Sequence, residues 1–410
     1  MFGVDKKILH LNFSDSGGAA VAVKRINDSL RFHNVNSSIL VAEKKSNNKT
    51  IIFKQTLFDR FIWEQKKKIS RNLKYIFRTD NKNTHSIALF GSNLLSQIEL
   101  FKPDILNIHW IGNELISLNQ INKIKIPIIW TLHDMWLYCG AEHYSYNTRY
   151  IDGYLNNNRP KEEKKFDLNR WVWERKKKYL SKKFSVIATS EWQLKNSRES
   201  SLLKNKDIHK IPLPIDTNFW KPIEKNKARE ILGWDKNKTY FLFGFSDFGK
   251  KYIKGLDLAL NIFNDFNKKY PEKKSHLNIF GQISKKEFNQ KNLTLIGMIN
   301  DLHHLKLLYS ASDLLLATSR LESFGQVGLE ALACGLPIVV LKNTGTLDLI
   351  LDENMGFIFN ENIHEDLNQF YMWFSKLSSI NLQEKLHKNI KTKYSYNVIG
   401  ERYKNLLNNL

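Results

Sequence analysis

Short apolar runs alternate with helix-length stretches along most of the chain, in two blocks separated by a proline-dense segment. In the first block the runs are KILHLNF (7–13), SSILVAE (37–43), DILNIHW (104–110), IPIIWTLHD (126–134) and FSVIATS (184–190). In the second they are TYFLFGF (239–245), HLNIFG (276–281), LTLIG (293–297), DLLLAT (313–318) and PIVVL (337–341). Brief apolar runs bounded by residues such as Pro103 and Pro127 are the mark of parallel strands buried on both faces. Between the blocks, HKIPLPIDTNFWKP (209–222) holds three of the eight prolines. The expected fold is therefore α/β, with two doubly wound parallel sheets. We expect a first domain over 1–210, a linker over 211–222 and a second domain over 223–390. An amphipathic helix over 391–410 would dock on either domain. Residues 140–183 carry no strand signal and read as loop plus a basic helix.

A chain of 410 residues is too long for one ordinary core, and its 42% hydrophobic content suffices for two. The net charge of +22 favours anionic partners such as nucleotide phosphates, acidic lipid or nucleic acid, or it is spread over solvated surface. Two cysteines, Cys139 and Cys334, give neither a disulfide framework nor a zinc-ligand cluster, and both are expected to be packing residues. Residues 1–13 lack the apolar core of a signal peptide, and no run approaches the roughly 20 apolar residues that span a bilayer. The expected location is cytoplasmic.

The densest chemical information lies in ATSRLESFGQVGLEALACGLPIVV (317–340). A strand ends before Ser319, a helix begins near Gly325, and Gly335 with Pro337 stops it. Parallel sheets bind ligands at the carboxyl ends of their strands, where this loop falls. Backbone N–H groups from Phe324 to Val327, backed by the helix dipole, form a phosphate seat. Gln326 and Glu330 share a helix face, and Glu330 leans back towards the helix start, within reach of a ribose. Glu322, in the loop, would meet the next group out, a sugar. The competing reading is that both glutamates only complement the positive helix end, worth about 0.3–1 kcal/mol each.

ESFGQVGLEALACGLPIV resembles the E-x7-E signature of the retaining GT-B glycosyltransferases of the large group-1 family. LTLIGMINDLHHLKLLYSASDLLLATS, IPLPIDTNFWKP and ILHLNFSDSGGAAVAVKRI are similar to that family's approach to the motif, interdomain linker and glycine loop. IIWTLHDMWLYCGAEHYSYNTRYIDGY resembles a branch that builds bacterial O-antigen, capsule or exopolysaccharide. The resemblance implies two Rossmann-like domains facing a central cleft. It also implies a retaining hexosyltransferase acting on a nucleotide-diphosphate sugar and a saccharide acceptor, expected to be lipid-linked.

Carried onto this sequence, the resemblance implies that Glu330 binds the donor ribose. Glu322, with the backbone of Phe324 and Gly325, would contact the transferred sugar, and Gln326 and Val327 would offer backbone donors to the diphosphate. Lys254 would neutralise the diphosphate as it leaves. His133 would lie near the sugar and acceptor, and Gly17 and Gly18 would admit the diphosphate to the first domain's backbone. The family places a second basic residue just after the glycine of the second domain's first strand. Here Gly244 is followed by Phe245, Ser246 and Asp247, which leaves Lys250 or Lys251 for that role. Base identity would depend on backbone near Gly281 and Met298-Ile299. No two aspartates stand two apart, so no metal and no cofactor are expected. Lys254 and two helix N-termini would supply the charge.

His133 and His109 close strands, so each is either a satisfied structural imidazole or a site residue; for His109 structure or lining is favoured. Residues 58–77 space Phe58, Phe61, Ile62, Ile69 and Leu73 at helical intervals beneath basic residues, and RWVWERKKKYLSKK (170–183) is alike in character. Each is either a core-facing stripe or a surface for anionic inner-membrane lipid. A nucleotide-sugar epimerase of the same architecture is the rival enzyme. A basic nucleic-acid-binding protein is the rival of another class, though no nucleic-acid motif is present and no such partner is expected.

Overall fold

The computed structural model describes residues 6–46, 51–53, 55–76, 84–245, 251–282, 292–377 and 381–410. The chain divides into two compact units, Met1–Leu213 with Ile399–Leu410, and Pro214–Val398.

The first unit is built on a seven-stranded sheet: β1 (Ile8–Ser14), β2 (Ser37–Glu43), β3 (Ile51–Ile52), β4 (Ile105–Ile108), β5 (Ile128–Thr131), β6 (Ser185–Ala188) and β7 (Asp207–Lys210). Their order is β3-β2-β1-β4-β5-β6-β7 with every pairing parallel, so strand order reverses between β1 and β4. Period-two alternation sorts the strand residues. Leu9, Leu11, Leu106, Ile108 and Trp130 enter one large core. Their neighbours His10, Asn12, Asn107 and Thr131 are equally buried and form a polar row on the other face. The helix Gly18–Phe32 buries Ala22, Val23, Ile26 and Leu30 at helical spacing.

The second unit carries β8 (Tyr240–Phe245), β9 (His276–Gly281), β10 (Leu293–Gly297), β11 (Leu314–Ala317), β12 (Ile338–Leu341) and β13 (Gly356–Phe359). The order is β10-β9-β8-β11-β12-β13, again all parallel, with the reversal between β8 and β11. Its core is aromatic: Phe241 and Phe374 both pack on Phe266, at centroid distances of 4.9 and 5.0 Å.

β3, β7 and β13 are the strands that the apolar runs do not announce. All three lie at sheet edges, where one side of the strand has no partner and the apolar pattern relaxes. The proline-dense segment is divided between the units. Ile211 N donates to Ala188 O at 3.0 Å in the first, and Ile215 N donates to Tyr394 O at 2.8 Å in the second. The C-terminal stretch is two helices, Leu382–Tyr394 and Tyr396–Asn408, broken at Ser395. The last one belongs with the first unit, where Arg402 donates to Lys210 O at 2.6 Å and Lys6 to Leu407 O at 2.9 Å.

The two basic stretches part company. In the helix Leu168–Tyr179, Val172, Trp173 and Lys176 are buried. Lys176 donates to the carbonyls of Trp136, Cys139 and Gly140, so the lipid reading fails there: this face holds a loop in place. On the helix Leu57–Ile76, by contrast, Phe58, Phe61 and Ile69 are exposed, at 72%, 59% and 48%. A core-facing role is excluded for those three. Among the described residues no helix is long and apolar enough to cross a membrane.

Candidate active site

β8 and β11 flank the reversal point of the second sheet, the position at which doubly wound sheets take their ligands. The segments leaving their carboxyl ends carry Lys254 and Glu322, and a set of hydrogen bonds clasps those segments together. Arg320 N donates to Ile253 O at 2.7 Å and the Arg320 guanidinium to Tyr252 O at 2.9 Å. That guanidinium also forks onto both Asp257 oxygens at 2.7 Å and lies 4.2 Å from the Tyr252 ring centroid. Thr318 Oγ1 donates to Gly255 O at 2.8 Å. Gly255 has φ +70°, and a Cβ there would stand 1.9 Å from Thr318 O, so glycine alone fits after Lys254. The clasp brings Lys254 Nζ to 2.5 Å from Glu322 Oε2, with both side chains half-buried.

The helix Gln326–Ala333 starts beside this pair. Its cap, Gly325, has φ +90° and offers no side-chain hydrogen bond to the first turn. A Cβ at Gly325 would approach Thr346 Oγ1 to 2.6 Å. Phe324 and Gly325 are buried, and Gln326 and Val327 half-buried. One turn on, Glu330 is buried and accepts a hydrogen bond from Tyr309 Oη at 2.9 Å. Tyr309 is fully buried and packs against Trp220 and Phe280. A basic group, two carboxylates and a helix N-terminus thus converge at the carboxyl edge of the sheet, a set suited to an anion joined to a polyhydroxylated group. A cavity of about 1220 Å³ lies at the opposite edge, lined by Thr239, Lys273, Asp313 and Pro337 among others, and none of these candidate residues borders it.

In the first unit, Gly17 precedes and Gly18 begins the helix leaving β1. A Cβ at Gly17 would meet nothing within 4 Å. His133 stands two residues beyond β5, half-buried. Its Nε2 is 2.8 Å from His109 Nδ1, and His109 Nε2 is 2.9 Å from His10 Nδ1. His10 Nε2 is 3.0 Å from Ser37 Oγ, which donates to Asn27 Oδ1 at 2.9 Å. Burial pushes His10 down to about 3. Burial, then the charges of its two neighbouring histidines, hold His109 well below the usual range. His133 falls to about 4 because burial outweighs the opposing pull of Asp134. All three are neutral imidazoles near pH 7. Burial would raise the Asp134 carboxyl, but His143 at 2.5 Å and the other polar contacts outweigh it and hold it low. Cys139 and Cys334 are buried with their thiols pushed up by burial, and act as packing. Among the described residues no three His, Cys, Asp or Glu side chains are arranged to hold a metal ion.

Two family models tile the chain, Glycosyltransferase Family 4 over residues 16–219 and Glycosyl transferases group 1 over 224–393. The chain is a glycosyltransferase of the GT-B fold. An uncharacterized 41.2 kDa protein in the cps region of Klebsiella pneumoniae is 22% identical over 88% of this chain and 87% of its own length. Mannosylfructose-phosphate synthase of Agrobacterium fabrum is 32% identical over 39% of this chain, a match spanning only 38% of that protein's length. Among solved structures, sucrose-phosphate synthase from Thermosynechococcus elongatus superposes with a TM-score of 0.69 at 14% identity, covering 98% of each chain.

In this glycosyltransferase Lys254, Glu322, Phe324, Gly325, Gln326, Val327 and Glu330 gather at one edge of the second sheet. Gly17, Gly18 and His133 belong to the first unit. Lys250 lies outside the described residues, as do Ser246 and Asp247. Lys251 is exposed, and its carbonyl accepts from Leu256 N at 3.1 Å. Sequence reasoning missed the supporting residues Tyr309, Arg320 and Asp257, which carry no local pattern. It also missed His10 and Ser37. A signal for the histidines existed: H-x-N in β1, N-x-H at β4 and T-x-H at β5 repeat a polar residue at period two inside strands otherwise apolar.

Proposed function

We propose that this glycosyltransferase is a retaining hexosyltransferase that takes its sugar from a nucleotide-diphosphate donor. The observation that carries the reading is the Lys254–Glu322 pair, held by the clasp beside the start of the helix 326–333. The donor diphosphate sits against the backbone N–H groups of Phe324 to Val327, and Glu330, oriented by Tyr309, accepts from the ribose hydroxyls. Lys254 exchanges Glu322 for the diphosphate, which frees Glu322 to accept hydrogen bonds from the sugar. As the bond from the anomeric carbon to the phosphate oxygen breaks, negative charge grows on the leaving group, where a fixed cation and helix dipole stabilise it without a metal. The acceptor hydroxyl forms the new bond on the same face and gives its proton to the departing phosphate oxygen, so configuration is kept. His133 binds a sugar hydroxyl.

The Klebsiella relative's place in a cps region supports surface-polysaccharide synthesis as the context. The exposed Phe58, Phe61 and Ile69, beside Arg60, Lys68 and Arg71, support peripheral contact with anionic lipid on the cytoplasmic face, where a lipid-linked acceptor would be met. Thermal shift against a panel of UDP-, GDP- and ADP-sugars, followed by acceptor-dependent release of nucleoside diphosphate, tests the reading. Stabilisation by one donor with acceptor-dependent turnover is expected. Conversion of a donor to its epimer with no acceptor present would favour the epimerase instead.

A further inference from the structure

The hydrogen-bond chain behind His133 has a direction. Asn27 Oδ1 can only accept, so the Ser37 hydroxyl hydrogen points at it. Ser37 Oγ must then accept from His10, which places the His10 proton on Nε2 and leaves Nδ1 a lone pair. His109 accordingly donates from Nε2 to His10 Nδ1, and its own Nδ1 accepts from His133 Nε2. Each link fixes the next because a neutral imidazole has one donor and one acceptor nitrogen. The chain crosses the sheet from β2 through β1 and β4 to the end of β5, and it runs from buried Asn27 and Ser37 to half-buried His133.

We propose that Asn27, Ser37, His10 and His109 are positioning residues that lock His133 as the Nε2–H tautomer, presenting the Nδ1 lone pair as an acceptor for a sugar hydroxyl. This rests on the proposed role of His133 at the sugar. The chain does not carry protons away. It ends on an amide oxygen that cannot hold a proton at neutral pH, so a proton taken up at Nδ1 would have no sink. The lock presents the His133 lone pair to a hydroxyl, and burial, which holds that imidazole down to about 4, makes it a weak base, in keeping with transfer in which the leaving phosphate takes the acceptor's proton.

Long-range ¹H–¹⁵N imidazole correlation spectra of the full chain without substrate read the tautomers directly. The expected result is Nε2–H on His10, His109 and His133, with Nδ1 unprotonated in each. Ser37→Ala removes the acceptor that orients the chain and should populate the Nδ1–H form of His133, three hydrogen bonds away. It should also raise the donor KM by roughly three- to tenfold, the worth of one neutral hydrogen bond, with a smaller effect on kcat. His109→Gln, whose amide can both accept from His133 and donate to His10, should keep the lock, whereas His109→Leu should lose it. An Nδ1–H tautomer in the unaltered protein, or a His133 signal indifferent to Ser37→Ala, overturns the proposal. If no nucleotide sugar is turned over at all, the proposed function fails while the spectra still decide the tautomer.

Discussion

Lys254 Nζ and Glu322 Oε2 stand 2.5 Å apart on two segments that leave neighbouring strands and are joined by Arg320 and Thr318. The pairing keeps the lysine aimed while no donor is bound. Since the leaving diphosphate gains charge in the transition state, Lys254→Ala should lower kcat about 10²–10³-fold with a smaller change in donor KM. A loss confined to KM, measured by steady-state kinetics, would demote the lysine to a binding group.

Glu330 and Tyr309 should behave as a unit. Glu330→Ala should weaken donor binding more than tenfold, while Tyr309→Phe, which removes only the hydroxyl that orients the carboxylate, should cost about 1 kcal/mol. The double variant should resemble Glu330→Ala alone, because the two losses share one interaction. Calorimetric titration with the nucleoside diphosphate reads all three.

The three neutral histidines make the fold acid-sensitive. In the unfolded chain each protonates below about pH 6.5, whereas His10 resists protonation until about 3 and His133 until about 4. Between those limits the unfolded state binds more protons, so stability falls as pH falls. Each histidine contributes at most about 1.4 kcal/mol per pH unit, a slope approached as pH falls well below 6.5. Urea unfolding from pH 7 to 5 should show this slope, and His10→Asn should make it shallower.

Much of this molecule is legible in its sequence, and the limits are physical. The central strands reveal themselves because both faces are buried and the runs are largely apolar, while the edge strands β3, β7 and β13 do not. The helix start at Gly325 is announced by the glycine-rich loop, whereas Lys254 is marked only by the resemblance to the group-1 family, and the need of the Thr318 carbonyl for Gly255 beside it is a tertiary fact. The clasp is invisible in one dimension, since Arg320 meets Asp257 across 63 positions. The exposure of Phe58 and Phe61 is likewise a tertiary fact, because an amphipathic pattern does not say which solvent its apolar face meets.

That exposed face gives another expectation. The chain should co-sediment with vesicles containing anionic lipid and much less with neutral ones. Phe58→Ser with Phe61→Ser should reduce binding without lowering the melting temperature, as neither side chain is buried. Equal binding by the double variant would leave the charge alone responsible.

Chelation addresses the charge balance of the reaction. Activity should persist in excess EDTA, because in the proposed mechanism Lys254 and the helix start at Gly325 supply the positive charge that a divalent ion would otherwise bring. Loss of activity with rescue by Mn²⁺ or Mg²⁺ would overturn the metal-free mechanism.

Stereochemistry tests the central claim most directly. In the proposed mechanism Lys254 serves the leaving group, Glu322 the sugar, Glu330 the ribose and His133 a hydroxyl, which leaves none of these residues to deprotonate the acceptor on the face opposite the leaving group. NMR of the product's anomeric proton should therefore show an α linkage from an α-linked UDP- or GDP-hexose. A β linkage from such a donor would contradict the retaining mechanism and make His133 the base.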